Sequence, residues 1–214
     1  MMRWETVNDL LKKSLQQLMQ TPEFDKFRLV GGTALSLQIG HRMSIDIDLF
    51  TDEEYGSINF DIIQNYLENN FTYVDPGFGG IVGMGKSYLV GVDRDNTVKL
   101  DVYYSNDKFI YPAVIIDGIR MASVEEIIAM KVDVVLRGGR KKDFWDLHEL
   151  MPKYSISEMI NLHKQRSEYT HDEETILINF TDFTAADEDF DPLCLRGKYW
   201  EFIKEDFQSA IDKI

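Results

Sequence analysis

The sequence predicts an α+β protein: a mixed β-sheet flanked by helices over residues 1–120, followed by a helical region over residues 121–214. Two observations carry this. Helical periodicity, with Val7, Leu10, Leu11, Leu15 and Leu18 on one face, opens the chain, and from Ser123 onward the pattern is helical again. Between these stretches lie short β-rich runs at 71–74, 87–92, 98–104 and 114–116, separated by Gly, Pro and Asp/Asn clusters.

The elements follow in order. The first helix spans about 5–20 and stops at Thr21-Pro22, because proline cannot continue it. Phe27 to Val30 reads as a strand, Gly31-Gly32-Thr33 as a turn, Ala34 to Ile39 as a short helix, and Ser44 to Phe50 as a second strand. A helix follows over 58–69, with Ile62, Ile63, Tyr66 and Leu67 as its apolar face. Asp93-Arg94-Asp95-Asn96 makes a hairpin turn. Ser123 with Glu126 carries a capping-box signature, so a helix runs from there to about Arg137, where Gly138-Gly139 ends it. Further helices are predicted at 141–151, 156–166, 171–180 and 197–213, with a solvated acidic loop over 182–191.

The informative segment is the second strand. Side chains alternate across a strand, so Ile45, Ile47 and Leu49 share one face and Ser44, Asp46 and Asp48 the other. Two neighbouring carboxylates repel and raise each other's pKa, and a cation between them removes that cost. Oxygen donors of this kind suit Mg²⁺ or Mn²⁺. A third strand-borne carboxylate, Asp101, alternates with Val98, Leu100 and Val102 on another strand.

Two side chains lie where apolar residues belong. Lys131 falls in the middle of the face made by Val124, Ile127, Ile128, Val134 and Val135. It must snorkel, lose its charge or meet an anion, which is either a structural carboxylate or a phosphate. Asp143 shares a face with Leu147, Leu150 and Met151, and pairs naturally with Lys131, although it also lies in a first turn where the helix dipole favours it. Asp146 reads as nearer the exposed edge. Arg137, Arg140, Lys141 and Lys142 form the dense basic cluster of the chain. Arg137 is placed to reach a phosphate, and Lys141 and Lys142 read as a solvated turn.

Bulk properties bound the function. A hydrophobic fraction of 44% with 13 Phe, 10 Tyr and 3 Trp is ample for a core, and excludes global disorder. The net charge of −14 argues against broad non-specific nucleic-acid binding, but leaves room for a local basic site. The single cysteine, Cys194, makes no intrachain disulfide, and no apolar run is long enough to span a bilayer. These features predict a cytoplasmic protein without a membrane partner. His41, His148, His163 and His171 lack zinc-protease spacing.

Gly31-Gly32-Thr33-Ala34-Leu35, Arg42-Met43-Ser44-Ile45-Asp46-Ile47-Asp48, Lys131 with Arg137, and Lys142-Asp143-Phe144-Trp145-Asp146-Leu147 occur in an order that resembles the nucleotidyltransferase AbiEii/AbiGii toxin family, a branch of the DNA polymerase β-like nucleotidyltransferases. The resemblance implies a nucleotidyltransferase-like fold, a nucleoside triphosphate donor, Mg²⁺ (or Mn²⁺), and toxins encoded beside an antitoxin in type IV toxin–antitoxin or abortive-infection systems. Acceptors differ across the family; tRNA and protein are both candidates.

On this basis Asp46, Asp48 and Asp101 are the expected metal ligands, with Asp101 also accepting the acceptor's proton. The Gly31 and Gly32 N–H groups, assisted by the Thr33 and Ser44 hydroxyls, cradle phosphates. Lys131, oriented by Asp143, neutralises phosphate charge, Arg137 assists it, and Tyr103 lines the nucleotide pocket. Two other readings compete: a degenerate fold serving as a protein-binding module, and a D-x-D nucleotide-sugar glycosyltransferase. The closely preceding glycine turn disfavours the second.

Overall fold

The computed structural model describes residues 1–77 and 83–214. Its centre is a seven-stranded mixed sheet in the order β3-β4-β5-β2-β1-β7-β6. The strands are β1 (Arg28–Leu29), β2 (Asp46–Thr51), β3 (Tyr73–Asp75), β4 (Gly85–Asp93), β5 (Asn96–Tyr104), β6 (Val114–Ile116) and β7 (Ile119–Met121). The pairs β2–β5 and β1–β7 are parallel and the others antiparallel. Asp93 closes the β4–β5 hairpin by accepting from Asp95 N and Asn96 N at 2.9 and 3.0 Å, so the predicted turn forms around an aspartate side chain.

Helices α1 (Asp9–Met19), α2 (Gly31–Ile39) and α3 (Phe60–Asn70) belong to the sheet half. Beyond the sheet, the chain forms α4 (Val124–Leu136), α5 (Lys141–Leu150), α6 (Ile156–Arg166), α7 (Glu173–Asn179), α8 (Thr184–Asp187) and α9 (Trp200–Ile211). Local signals set several boundaries. Asn8 caps α1 through Leu11 N at 2.8 Å, and a reciprocal capping box between Ser155 and Glu158 starts α6. The buried core is continuous from Leu11, Leu15 and Leu18 through Ile47, Leu49, Leu100 and Val102 to Ile127, Ile128, Phe144 and Phe207.

Four local expectations are corrected. Ile45 precedes β2 and is 69% exposed, so of the three expected residues Ile47 and Leu49 bury, joined on that face by Thr51. The capping box at Ser123 is half formed: Ser123 Oγ accepts from Glu126 N, while the Glu126 carboxylate accepts instead from Ile110 N, Tyr111 N and Arg166 Nε. The acidic stretch 182–191 is not simply solvated. It contains α8, and Asp187 accepts from Trp200 Nε1 at 2.6 Å. Ile119–Met121 is a strand that the short apolar pattern did not reveal. No helix among the described residues is long and apolar enough to cross a membrane.

Candidate active site

A cleft of about 310 Å³ lies where the sheet meets α2, α4 and α5. Its cations are Arg42, Lys131, Arg137, Arg140, Lys142 and Arg166, and its carboxylates are Asp48, Asp107, Asp133 and Asp143. In a chain of net charge −14, this is a local surplus of positive charge.

The parallel pairing of β2 and β5 sets Asp48 directly beside Asp101, and Asp46 beside Lys99. Opposed residues of paired strands point to the same face, so the three aspartates share one. The cost is visible at Asp48: burial first, then the charges of Asp101 and Asp46, push its pKa up to about 6. Asp101 Oδ2 receives Lys99 Nζ at 2.5 Å, whereas its Oδ1 is buried without a hydrogen-bond partner.

Among the described residues, no three Asp, Glu, His or Cys side chains are already gathered into a metal-holding cluster, and Lys99 is the cation paired with Asp101. The donor set still fits a hard divalent ion. It offers carboxylate oxygens only, one of them buried and unpartnered, and mutual repulsion that a cation would relieve.

Facing the aspartates is the N-terminus of α2. Val30 provides no side-chain cap, which leaves the first N–H groups without a side-chain acceptor, and Val30 N donates to Asp48 O at 2.9 Å. Gly31 has φ +67°, and a Cβ there would meet Asp48 Oδ2 at 2.8 Å; a Cβ on Gly32 would overlap the Arg42 guanidinium. Gly31 is therefore favoured by conformation and close approach alike, and Gly32 by its close approach to Arg42 alone.

Thr33 and Ser44 behave differently from expectation. They are buried, their hydroxyls lie 2.8 Å apart, and Thr33 Oγ1 donates to Asp46 O at 2.5 Å. They brace α2 against the D-x-D segment; neither lines this cleft, while Ser44 borders a second cleft beside it. Tyr103 does not line it either. Its ring packs on Phe50 at 6.0 Å and its hydroxyl meets Ser87 Oγ, so Phe50 is the aromatic in the cleft wall.

Behind the glycines lies a buried ion network. Lys131 Nζ contacts Asp143 Oδ1 at 2.8 Å and Asp146 Oδ2 at 2.6 Å. Asp146 also accepts from Arg42 Nε and Nη2, at 2.6 and 2.8 Å, and meets His41 Nε2 at 2.6 Å. Burial alone would lower the Lys131 pKa, but Asp143 and Asp146 outweigh it and the ammonium is held protonated. Burial would raise Asp146, yet Lys131 and Arg42 hold it well below the usual carboxylate range.

Asp146 is thus fully buried and is the hub, not an edge residue. The spacing of two acids at Asp143 and Asp146 opposite one lysine signals the need for a second cation, which Arg42 supplies. Lys141 is buried, bonded to Asp191 and stacked on Trp200 at 5.5 Å, and Lys142 is half-buried in the cleft wall, so neither is a solvated turn residue. Arg137 lines the cleft while its Nη2 pairs with Asp133 Oδ2 at 2.5 Å.

The structure therefore brings Gly31, Gly32, Asp48, Lys131, Arg137 and Asp143 to one cleft, with Asp101 beside Asp48. Asp46 opens onto an adjoining cleft that shares Arg42, Arg140 and Lys142 with the first.

Residues 13–213 match the family described as "Nucleotidyl transferase AbiEii toxin, Type IV TA system". A relative from Aquifex aeolicus, the uncharacterized protein aq_aa25, is 26% identical, with 94% of this chain and 93% of that protein covered. Among solved structures, JHP933 from Helicobacter pylori is similar at TM-score 0.58 and 20% identity, covering 97% of this chain and 92% of that one. The nucleotidyltransferase toxin MenT4 from Mycobacterium tuberculosis is similar at TM-score 0.56 and 15% identity, covering 95% and 84%. At these identities the structural likenesses establish the shared fold.

Proposed function

The chain belongs to the AbiEii nucleotidyl transferase toxin family of type IV toxin–antitoxin systems, and from that premise we propose that it is a divalent-metal-dependent enzyme transferring a nucleoside monophosphate from an NTP to a hydroxyl of RNA. The observation that carries this reading is the convergence of Asp48 and Asp101, paired across β2 and β5, at the edge of a cation-rich cleft headed by an uncapped helix N-terminus. Oxygen-only donors and a polyanion cradle meet in one place.

The acceptor hydroxyl oxygen bonds to the α-phosphorus, and the bond from that phosphorus to the bridging oxygen breaks, releasing pyrophosphate. The hydroxyl proton passes to the Asp101 carboxylate and then to solvent. Asp46, Asp48 and Asp101 would hold Mg²⁺ or Mn²⁺, which when bound supplies charge stabilisation at the reacting phosphate. The Gly31 and Gly32 N–H groups receive the β- and γ-phosphates, and helix and cleft cations favour their negative charge. Lys131 has three N–H donors, of which Asp143 and Asp146 engage two. It contributes fixed positive charge from a position that Asp143 and Asp146 set. Phosphate relieves Lys142, whose pKa burial and then Arg140 lower. A cognate antitoxin follows from the family.

Incubation with each α-labelled NTP, Mg²⁺ and total tRNA, reading both RNA and protein bands, tests this. Label should enter RNA with one or more NTPs and be lost in EDTA. Asp46→Ala should abolish labelling with an unchanged circular dichroism spectrum; retained transfer in that variant refutes the metal assignment. Lys131→Ala should weaken NTP use by roughly 100- to 1000-fold, the loss typical of removing one preorganised group that stabilises developing negative charge.

A further inference from the structure

The adjoining cleft, of about 590 Å³, is absorbed by neither the donor cradle nor the ion network. Ile45, Asp46, Phe190, Pro192 and Leu193 line it, and Arg140 and Lys142 form the wall it shares with the donor cleft. Asp46 and Asp48 lie two residues apart on one face of β2, yet one opens to each cleft. An in-line displacement needs two substrates on opposite sides of one phosphorus, and this arrangement offers two compartments meeting at the carboxylates.

Phe190 is 99% exposed, between two residues that are held in place. Asp189 Oδ2 accepts from Lys141 N at 3.0 Å, and Asp191 Oδ1 accepts from Lys141 Nζ at 3.1 Å. Further along, Met43 N donates to Leu193 O and Leu195 N to His41 O, both at 2.9 Å, which ties the same segment to the loop that leads into the D-x-D strand. The backbone is thus pinned on both sides of a ring left in water. An exposed ring on a pinned backbone beside the carboxylates presents a face on which a base can stack.

We propose that this cleft is the acceptor subsite, that Phe190 stacks the terminal base of a single-stranded RNA, and that Arg140, the exposed cation of the shared wall, receives its last phosphate. The proposal rests on the nucleotidyltransferase reading above and deepens it. An RNA end supplies both a π-face for the phenyl and, one linkage away, a phosphate for Arg140. The chain's net charge of −14 adds a second consequence. Without a broad basic surface, recognition is confined to the RNA end, so a short oligomer suffices as acceptor and its binding depends weakly on salt.

The test uses the full chain with Mg²⁺, an α-labelled NTP and a single-stranded RNA trinucleotide bearing a free 3′-hydroxyl, compared with whole tRNA. The trinucleotide should be labelled with a KM within several-fold of that for tRNA. Phe190→Ala should raise the trinucleotide KM roughly 5- to 100-fold, with the affinity for a non-hydrolysable NTP, measured calorimetrically, as the control for the donor cleft that Phe190 does not line. Phe190→Trp should preserve a low KM, and its added fluorescence should be quenched by a 3′-deoxy trinucleotide that cannot react.

An unmoved KM in Phe190→Ala, or no quenching in Phe190→Trp, overturns the proposal. Labelling of a polypeptide in place of RNA, lost in Phe190→Ala, also overturns it by assigning the cleft to protein. Quenching without label transfer to any acceptor keeps the subsite and strikes instead at the catalytic reading.

Discussion

At the scale of the residue, Asp48 concentrates the electrostatic cost of the site. A carboxyl whose folded pKa is about 6, against 3.8 for the free group, binds more protons folded than unfolded between those values. Stability therefore falls as pH rises from about 4 to about 6, and the full penalty remains at neutral pH. A shift of this size corresponds to at most about 3 kcal/mol, and nearer 2 after screening at the open side of the cleft. Asp48→Asn should accordingly be more stable than the parent in EDTA at pH 7 by about 2 kcal/mol, and equal to it below pH 4. Urea unfolding between pH 4 and 8 reads this directly. Adding Mg²⁺ should narrow the gap by stabilising the parent. A gap that does not change with pH would mean that Asp48 carries no such burden. The position was legible in sequence because strand alternation placed Asp46 and Asp48 together. Its neighbour Ile45 was misjudged because alternation applies only once the strand begins, at Asp46.

At the scale of the element, the sequence spoke clearly wherever the relevant contact was local. The helices α3, α4, α5 and α6 begin and end within a few residues of their caps and breakers, and the β5 alternation of Val98, Leu100 and Val102 buries as expected. Contacts between elements were silent. Asp146 looked marginal on its own helix wheel, because what buries it is Arg42 and His41, more than a hundred residues earlier. Lys141 looked solvated because its carboxylate partner lies 50 residues later. Glu126 fitted a capping box by spacing, yet its carboxylate serves Arg166 of α6 and the 110–111 backbone.

Asp146 gives the sharpest prediction at this scale. Its neutral isostere, Asp146→Asn, leaves Arg42 and Lys131 buried with a single remaining carboxylate, Asp143, which should cost about 3–5 kcal/mol. Because Asp146 is held below its ordinary pKa, its contribution is complete at neutral pH and is lost as pH falls below about 4. The variant's deficit in denaturant unfolding should thus be constant from pH 6 to 8 and shrink only in acid. A deficit under 1 kcal/mol at pH 7 would make the network dispensable to the fold.

At the scale of the whole molecule, the cation-rich cleft is a seam. The sheet half supplies Asp48, Gly31 and Gly32, and the helices that follow supply Lys131, Arg137, Lys142 and Asp143. Two buried clusters already join these halves without a ligand: Asp146 with Arg42 and Lys131, and Glu126 with Arg166 and the backbone of residues 110 and 111. With the core continuous across the seam, the chain should unfold in one cooperative transition.

A polyanion bound in the seam touches both sides and is lost on unfolding, so it stabilises the folded state through mass action. At a free concentration 100 times its Kd, a non-hydrolysable NTP with Mg²⁺ adds about 2.7 kcal/mol. For a chain of this size, each kcal/mol raises Tm by about 2–4 °C, so the transition should move up by roughly 5–11 °C as one step. Lys131→Met should abolish most of that movement, since it removes charge from the wall that the phosphates face, whereas Phe190→Ala should leave it intact because the ring lines the other compartment. Differential scanning calorimetry of the parent and both variants, with and without ligand, separates the cases. Two resolved transitions, only one of them responding to NTP, would mean that the halves fold apart and that the seam is not where the donor binds.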